Sequence, residues 1–384
     1  MNENLRIGAK IPHASAPKIA TDSERLILDI VRCNSEITRS SLTRHTHITQ
    51  QSVHRLVDGL IARDLLMTGQ PIITGPGKPS PRLSLNPDAL YSIGVSINTD
   101  TISLSIANLA CAEVAATIVD SNPADRVQSL RDMATAIKAL VTDNGIPQER
   151  IIGVGVAMSG YRSNGHDCYV CPPPISEWSD LFLTPLFEAA FGLPVWTENN
   201  ATSGAIGESL IGAGRLHSTF AYLSFNFGFG GGMIVDGKPL LGGFGNAGEI
   251  SVTYTEAQVE SRPALGELIK RLAKHDIHIS SLPELSASFD PNWPGLKEWI
   301  EEVTPNLYLA VRAIRAMVDP TAIVFGGEAP EYLRKMLITA CLEMDQRNQK
   351  RRMPPEPQLL CSSMQGDPST YGAALVPLKA CVLM

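Results

Sequence analysis

The chain has 384 residues, of which 44% are hydrophobic and 18% charged, and its formal net charge is −7. This composition is typical of a globular protein, and the length predicts two or three domains, because one hydrophobic core seldom serves so many residues. No apolar run is long enough to span a bilayer, the first residues lack a signal peptide's apolar segment, and the seven cysteines are scattered, so we expect a cytoplasmic protein without a membrane partner.

Charge is distributed unevenly along the chain. Residues 1–90 contain 11 Lys or Arg against 8 Asp or Glu, a net charge of +3, so the remainder carries −10. Residues 37–57 contain no acid, but three Arg and three His. A basic window on an acidic protein indicates a polyanionic partner, although a charged run by itself is more often only a solvated surface.

The beginning of the chain has the pattern of three helices. Thr21 and Glu24 have capping-box spacing and precede a first apolar helical pattern, and residues 38–46 predict a short second helix. A third helix is predicted over residues 48–66, where apolar residues recur at helical spacing and Thr49 can cap the start.

Two strands around a Gly/Pro tip at residues 75–79 are predicted to follow the third helix. Three helices and a hairpin predict a winged helix-turn-helix over residues 21–88, preceded by a flexible tail over residues 1–20. Residues 84–90 are the expected linker to the rest of the chain.

A winged helix-turn-helix places the start of its last helix in the major groove of DNA, where basic and hydroxyl groups hold the phosphates. Gln50, Gln51 and Arg55 have the donor and acceptor geometry that reads base edges. The predicted contacts with a double-stranded operator are Arg39, Ser40, Thr49, Gln50, Gln51, His54, Arg55 and Lys78. A helical interaction or dimerisation module is the alternative, but the acid-free window falls on the second and third helices, which favours DNA.

The remaining residues alternate between hairpins, helices and strands. The predicted strands are 93–97, 102–106, 150–160, 222–225, 231–235 and 321–327, and the predicted helices are 130–146 and 304–320. Two hairpin-started α/β units in tandem predict two lobes with a ligand cleft between them. We expect the first lobe over 89–200, completed by a C-terminal helix in 367–384, and the second lobe over 201–366.

Residues 195–209 (VWTENNATSGAIGES) join an apolar run to a small-residue helical pattern. Proteins of the α/β class bind ligands where a strand ends and a helix begins. Asn199 and Asn200 are neutral amides at this junction, so they can bind a ligand but cannot accept a proton at neutral pH. A helix N-cap by itself would explain one amide, because Asn is favoured at that position.

These segments together are similar to the ROK family, which groups sugar-responsive repressors with sugar kinases. The similar segments are the N-terminal module followed by GKP, then LPVWTENNAT, GESLIGAGR, GFGGGMIVDGKPLLGGFGNAGEI, IVFGG and GDPSTYGAAL. The resemblance implies a two-lobed actin-like ATPase (ribonuclease-H-like) fold. It also implies that the N-terminal winged helix is the DNA reader that the family's repressors have and its kinases lack.

This chain departs from the family's kinase motifs. Where the kinases have an Asp that removes the proton from the sugar hydroxyl, it has Asn200, and base catalysis contributes about 10²–10⁴-fold. The first phosphate loop, Asp-x-Gly-Gly-Thr in the kinases, is SINTD at residues 96–100, and the second, Gly-Thr-Gly, is NFG at 226–228. Glycines let the backbone approach phosphate closely, so we expect no catalytic residue and no ATP cofactor.

The family's zinc site is also missing from this sequence. No Cys or His lies between Glu249 and Leu268, and Val252 stands where the resemblance places a zinc-liganding His. Residues 166–171 offer His166, Cys168 and Cys171, but one Cys-x-x-Cys pair without a second is a weak metal signal. We therefore expect no metal site.

Asn199, Asn200 and Glu249 match the family's positions for contacts with sugar hydroxyls, so the resemblance implies a sugar site there. The alternative role of Asn200 is a helix N-cap, and that of Glu249 is a cap or a partner of an Arg. The loss of the His at Val252 implies a ligand other than the family's common sugars.

The expected function is a transcriptional regulator, a repressor of carbohydrate-related genes that a sugar or sugar derivative controls from the cleft. A homodimer or homotetramer would present paired winged helices to a near-palindromic operator. Two alternatives stay open: a sugar kinase with a fused DNA reader, and a regulator that a protein partner controls while the cleft is vestigial.

Overall fold

A computed structural model describes residues 17–34, 37–72, 80–163, 167–348 and 354–384. The N-terminal module consists of α1 (Asp22–Cys33), α2 (Arg39–His45), α3 (Gln50–Ala62), β1 (Leu66–Ile72) and β2 (Ser80–Leu85). β1 pairs with β2 in antiparallel orientation, and Thr38 bridges to Arg82 before α2 begins. Thr21 caps α1 through a capping box and Thr49 caps α3, as predicted from their spacing.

Two boundaries in the N-terminal module differ from the sequence prediction. α3 ends at Ala62 rather than residue 66, because Asp64 has a left-handed φ of 62° that turns the chain into β1. Ile19 and Ala20, which the sequence assigns to a tail, pack against the module's hydrophobic cluster. The linker is also packed, since Asn86 is buried and its Nδ2 donates to the carbonyl of Asp64 at 2.9 Å.

The first lobe contains a five-stranded sheet in the order β5-β4-β3-β6-β9. Its elements are β3 (Tyr91–Ile97), β4 (Ile102–Asn108), β5 (Glu113–Val119), α4 (Arg126–Asp143), β6 (Ile151–Met158), β7 (Tyr161–Ser163), β8 (Cys168–Val170), α5 (Leu183–Phe191) and β9 (Val195–Asn199). The predicted hairpin is confirmed as β3 and β4, with β6 parallel to β3. The sequence prediction lacked β5, because this edge strand is mostly exposed and has no apolar alternation that marks a buried face.

The second lobe repeats the first, with five strands in the order β12-β11-β10-β13-β14. After α6 (Asn200–Ile211) it comprises β10 (Phe220–Phe225), β11 (Phe229–Val235), β12 (Lys238–Pro239), α7 (Leu265–Ala273), α8 (Leu282–Ser288), α9 (Leu296–Val318), β13 (Ala322–Gly327), α10 (Glu331–Asn348) and β14 (Gln358–Cys361). The matching strand order confirms the predicted duplication. Asp236 and Gly237 both have positive φ, as the predicted hairpin turn requires.

Two buried helices lie between the sheets. α11 (Pro368–Cys381) packs on β3, β4 and β6 of the first sheet, α6 packs on β10 and β11 of the second, and the two helices contact each other. Close approach requires glycine at two strand positions, because a Cβ at Gly94 or Gly155 would lie 2.2 or 2.0 Å from a carbonyl oxygen of α11. Within the described ranges, no helix is long and apolar enough to cross a membrane.

Candidate functional site

The junction between the first lobe and α6 is built around Asn199. Its Oδ1 accepts from the backbone N–H of Ala201 at 2.8 Å and of Thr202 at 3.4 Å, so Asn199 is the N-cap of α6. Its Nδ2 donates to the carbonyl of Gly160 at 2.6 Å. The alternative that made Asn200 the cap was therefore wrong: Asn200 is the first helical residue, and its side chain is available for another role.

Asn200 is buried in a polar network below the junction. Its Nδ2 donates to Oδ1 of Asn98 at 2.6 Å and to Oγ of Ser159 at 2.9 Å. Its own Oδ1 is buried and has no hydrogen-bond partner among the described residues. A buried acceptor without a donor costs about 1–3 kcal/mol, so this oxygen is suited to a hydroxyl donor from a ligand or water.

Side chains fill the position of the first phosphate loop of the family's kinases. Asn98 stands where the kinase motif has its first glycine, and its Nδ2 donates to Oδ2 of Asp367 at 3.3 Å. Asp367 caps α11, and Ser96, in place of the kinase Asp, pairs with Ser369 at 3.1 Å. The backbone approach that a phosphate needs is thus replaced by side-chain hydrogen bonds that join β3 to the start of α11.

The second phosphate-loop position is also occupied, and its surroundings are acidic. Oδ1 of Asn226 accepts from the backbone N–H of Glu328 at 2.9 Å, and the ring of Phe227 is 47% exposed. Burial raises the pKa of the Glu328 carboxyl well above its usual value, and the negative charges of Asp367 and Asp100 raise it further. The negative charges of Asp367 and Asp100 near this position oppose a triphosphate electrostatically.

A small cleft brings Asn199 and Glu249 together. Its lining is Asn199, Thr202, Gly231, Gly245, Asn246, Ala247 and Glu249. Asn200 follows Asn199 in the chain but is not part of this lining, and its Nδ2 donates to Asn98, so the three predicted sugar residues do not share one wall. The space inside is about 10 Å³, roughly the room that one water molecule needs, so the lobes or a loop must move before a sugar fits.

Two residues that the sequence analysis missed, Asn246 in the cleft lining and Arg162 beside it, bind each other. Oδ1 of Asn246 accepts from the backbone N–H of Arg162 at 2.8 Å, and its Nδ2 donates to the Arg162 carbonyl, also at 2.8 Å. The Arg162 guanidinium forms a buried ion pair with Glu198 and lies 5.1 Å from the ring centre of Tyr169. Glu198 was the available signal, because a carboxylate in an apolar strand requires a cationic partner.

Glu249 is the acidic group of the cleft. The hydroxyl of Ser251 donates to its Oε1, and burial raises the pKa of the carboxyl above its usual value. Elsewhere, Cys168 and Cys171 are free thiols, and burial raises the pKa of Cys171 to about 11. No cluster of three or more His, Cys, Asp or Glu side chains in the described parts of the chain is placed to hold a metal ion.

The predicted DNA-contacting residues lie mostly on one helix. Gln50, Gln51 and Arg55 are exposed at the start of α3, His54 is half-buried, and Thr49 is the cap. Ser40 is exposed on α2. Arg39 differs from expectation in being paired with Asp58 at 2.6 Å, which reduces the charge it can offer a phosphate. Lys78 lies outside the described residues.

Comparison with known proteins connects the fold to one family. The chain is 28% identical over 232 residues to the xylose repressor of Bacillus spizizenii, covering 59% of each protein. A solved ROK family transcriptional regulator, described as a homologue of the E. coli MLC protein, has a TM-score of 0.67 at 18% identity and covers 94% of this chain and 97% of that one.

Sugar kinases have the same fold. The structure of a ROK family glucokinase from Streptomyces griseus with glucose and AMPPNP has a TM-score of 0.59 at 20% identity, covering 74% of this chain and 98% of that one. The family model itself matches residues 92–379, so the chain belongs to the ROK family.

Proposed function

We propose that this protein is a DNA-binding transcriptional repressor that responds to a sugar. The similarity to a xylose repressor supports this proposal, and so does the fold match to a regulator over 94% of the chain. The N-terminal module also supports it, because α3 presents exposed Gln50, Gln51 and Arg55, all within the acid-free residues 37–57. A homodimer or homotetramer would place two such modules on one operator.

The unpaired Oδ1 of Asn200 is the observation that carries the sugar site. Together with the Glu249 carboxylate and the Thr202 hydroxyl at the adjoining cleft, it offers hydrogen-bond acceptors to a ligand. No Lys or Arg is among the residues that line the cleft, and Arg162, which binds the lining residue Asn246, is already paired with Glu198. These groups favour a neutral sugar with several hydroxyls over a sugar phosphate.

A thermal-shift comparison tests this ligand class. D-xylose or D-glucose is expected to raise the melting temperature, since a ligand at about 100 times its Kd stabilises the folded state by about 2.7 kcal/mol. Glucose 6-phosphate and Mg-ATP are expected to have no effect. A response to Mg-ATP would instead favour a kinase, and no response to any of a broad set of sugars would favour control by a protein partner.

Sugar affinity is expected to fall as the pH is lowered from 7 toward 4.5. Only the ionised Glu249 accepts hydrogen bonds with both oxygens at full strength, and its raised pKa means that it takes up a proton earlier than an exposed Glu does. Titration calorimetry at several pH values measures this loss. Glu249→Gln should bind more weakly at pH 7 and lose the pH dependence; a variant with the wild-type pH profile would exclude Glu249 from the sugar contacts.

The absence of kinase activity is part of the proposal. Three features support it: Asn200 replaces the catalytic base, Asn98 occupies the first phosphate-loop position, and the charges of Asp367 and Asp100 lie near the second. Because solved sugar kinases have the same fold, turnover has to be measured directly. Sugar-dependent release of ADP by the wild-type protein would favour the kinase alternative.

A further inference from the structure

α6 begins at the cleft, α11 begins beside Asn98 next to it, and both helices end at the N-terminal module. At the cleft end, Asn98 binds the first turn of each helix. Its Oδ1 accepts from Asn200, the first residue of α6, at 2.6 Å, and its Nδ2 donates to Asp367, the N-cap of α11, at 3.3 Å. Asn98 therefore connects the starts of the two helices. A ligand that binds Asn200 acts on a residue that is hydrogen-bonded to Asn98, and Asn98 also binds the N-cap of α11.

At the opposite end, two arginines of α1 bind the last carbonyls of the same two helices. Nη1 of Arg32 donates to the carbonyl of Leu210 in the last turn of α6. Arg25 donates through Nη2 to the carbonyl of Lys379 at 2.6 Å and through Nε to that of Leu383 at 3.0 Å. Carbonyls at a helix C-terminus have no partner within the helix, and a cation there is favoured by the helix dipole.

The two helices cannot move independently of each other. Residues Asn200–Leu210 of α6 are all buried, and its 12 residues span about 18 Å at 1.5 Å per residue. Gly372 of α11 lies so near α6 that a Cβ there would be 2.0 Å from the carbonyl oxygen of Ser203. A displacement at the cleft is therefore transmitted to the far end, because close-packed helices shift together.

The N-terminal module is in a position to follow such a displacement. Ile27, Leu28 and Val31 of α1 belong to the same hydrophobic cluster as Leu210 of α6 and Leu378 of α11. The core residues of α3 are part of this cluster as well. A shift of the helix ends therefore changes the orientation of α1 and, with it, of α3.

We propose that α6 and α11 transmit occupancy of the cleft to the N-terminal module, with Arg32 and Arg25 as the positioning residues that couple the two. The proposal rests on the proposed function, because it requires a sugar in the cleft and DNA on α3. A ligand changes DNA affinity only if it binds two arrangements of the protein differently, and such coupling amounts to about 5- to 150-fold.

The coupling ratio is the quantity to measure: the Kd for DNA with saturating D-xylose or D-glucose, divided by the Kd without sugar. The DNA is a duplex that the wild-type protein selects from a random-sequence library. The test variant is Arg25→Met with Arg32→Met, which removes both guanidinium groups and keeps most of the apolar stems. The matched control is Arg63→Met, because the partners of Arg63 among the described residues, Glu24, Ile19 and Gly59, all belong to the N-terminal end of the chain.

We expect the double variant to bring the coupling ratio to within about twofold of one, against about 5- to 150-fold in the wild type and the control. Its sugar-free DNA affinity and its sugar affinity, measured by calorimetry, should stay within about threefold of wild type, because neither binding surface is changed. A merely structural role would weaken both affinities and leave the ratio intact. A folded double variant with the wild-type ratio would overturn the coupling and leave the proposed function standing.

Hydrogen exchange of the wild-type protein provides a second measurement if the double variant does not fold. With sugar bound, amide protection is expected to change in α1 and in the last turn of α6, because these segments share the Arg32 contact. Unchanged protection of α1 in the sugar complex would overturn the coupling. A wild-type protein that binds neither sugar nor DNA would overturn the proposed function itself, and the coupling with it.

Discussion

Operator affinity is expected to fall by at least about tenfold at fixed salt when Arg55 is replaced by alanine, because a side chain that reads a base edge contributes about 1–3 kcal/mol. Arg55 is exposed in the first half of α3. Arg39, in contrast, is held by Asp58 at 2.6 Å. This difference makes Arg55 the stronger candidate of the two for a direct contact with DNA.

The measurement is equilibrium binding of a labelled duplex at several salt concentrations. The matched control is Arg131→Ala, because Arg131 is also exposed but lies on α4 of the first lobe. Loss of discrimination between sequences identifies a base contact, whereas a salt dependence reduced by about one unit identifies a phosphate contact. An Arg55→Ala protein with wild-type affinity and an intact fold would remove α3 from the DNA interface.

Replacing Asn200 by aspartate is expected to destabilise the protein and to produce no kinase. The new carboxylate would have an oxygen facing Oδ1 of Asn98, which now accepts from Asn200 at 2.6 Å. If the Asn98 amide flips to donate, its oxygen then faces the Asp367 carboxylate instead. One repulsive contact persists either way, so the free energy of unfolding should fall by about 1–3 kcal/mol.

The Asn200→Asp protein is not expected to phosphorylate a sugar, because the catalytic base is only one of the kinase groups that this chain lacks. Asn98 and Phe227 still occupy the two phosphate-loop positions, and the charges of Asp367 and Asp100 still oppose a phosphate there. Denaturant unfolding and a coupled assay for sugar-dependent ADP release measure the two effects. The control Asn122→Asp changes an exposed turn residue whose Oδ1 accepts one backbone N–H, so its stability should stay within about 0.5 kcal/mol of wild type. ADP release by the Asn200→Asp protein would contradict the proposed role of the altered loops.

Local signals in the sequence were sufficient for most of the secondary structure. Thr21 and Thr49 cap the helices that their spacing predicts, because a cap depends on side chains within three or four residues. The Asp236-Gly237 turn was predictable for the same reason, since the positive φ of both residues is a property of the turn itself. Strand β5 was not predictable, because an exposed edge strand has no buried face to impose a period of two.

The sequence predicted the position of the candidate site but not the contacts within it. The junction at Asn199 and Asn200 is local, so its position followed from a strand pattern that meets a helix pattern. Which of the two amides caps α6 depended on where the helix begins, and helix ends are the least certain part of any sequence pattern. The pairing of Asn246 with Arg162 joins residues that are 84 positions apart, and neither residue type signals that contact by itself.

The sequence by itself determined the family resemblance, the alternation of hairpins and helices, and the loss of the kinase base and phosphate glycines, because residue identity and near-neighbour spacing carry these features. Only the tertiary structure decided the rest. It joined Nδ2 of Asn200 to Asn98, paired Arg162 with Asn246 beside the cleft, and connected α6 and α11 to α1 through Arg32 and Arg25. Each of these contacts joins distant segments, and its geometry follows from how whole helices and sheets pack rather than from the local chain.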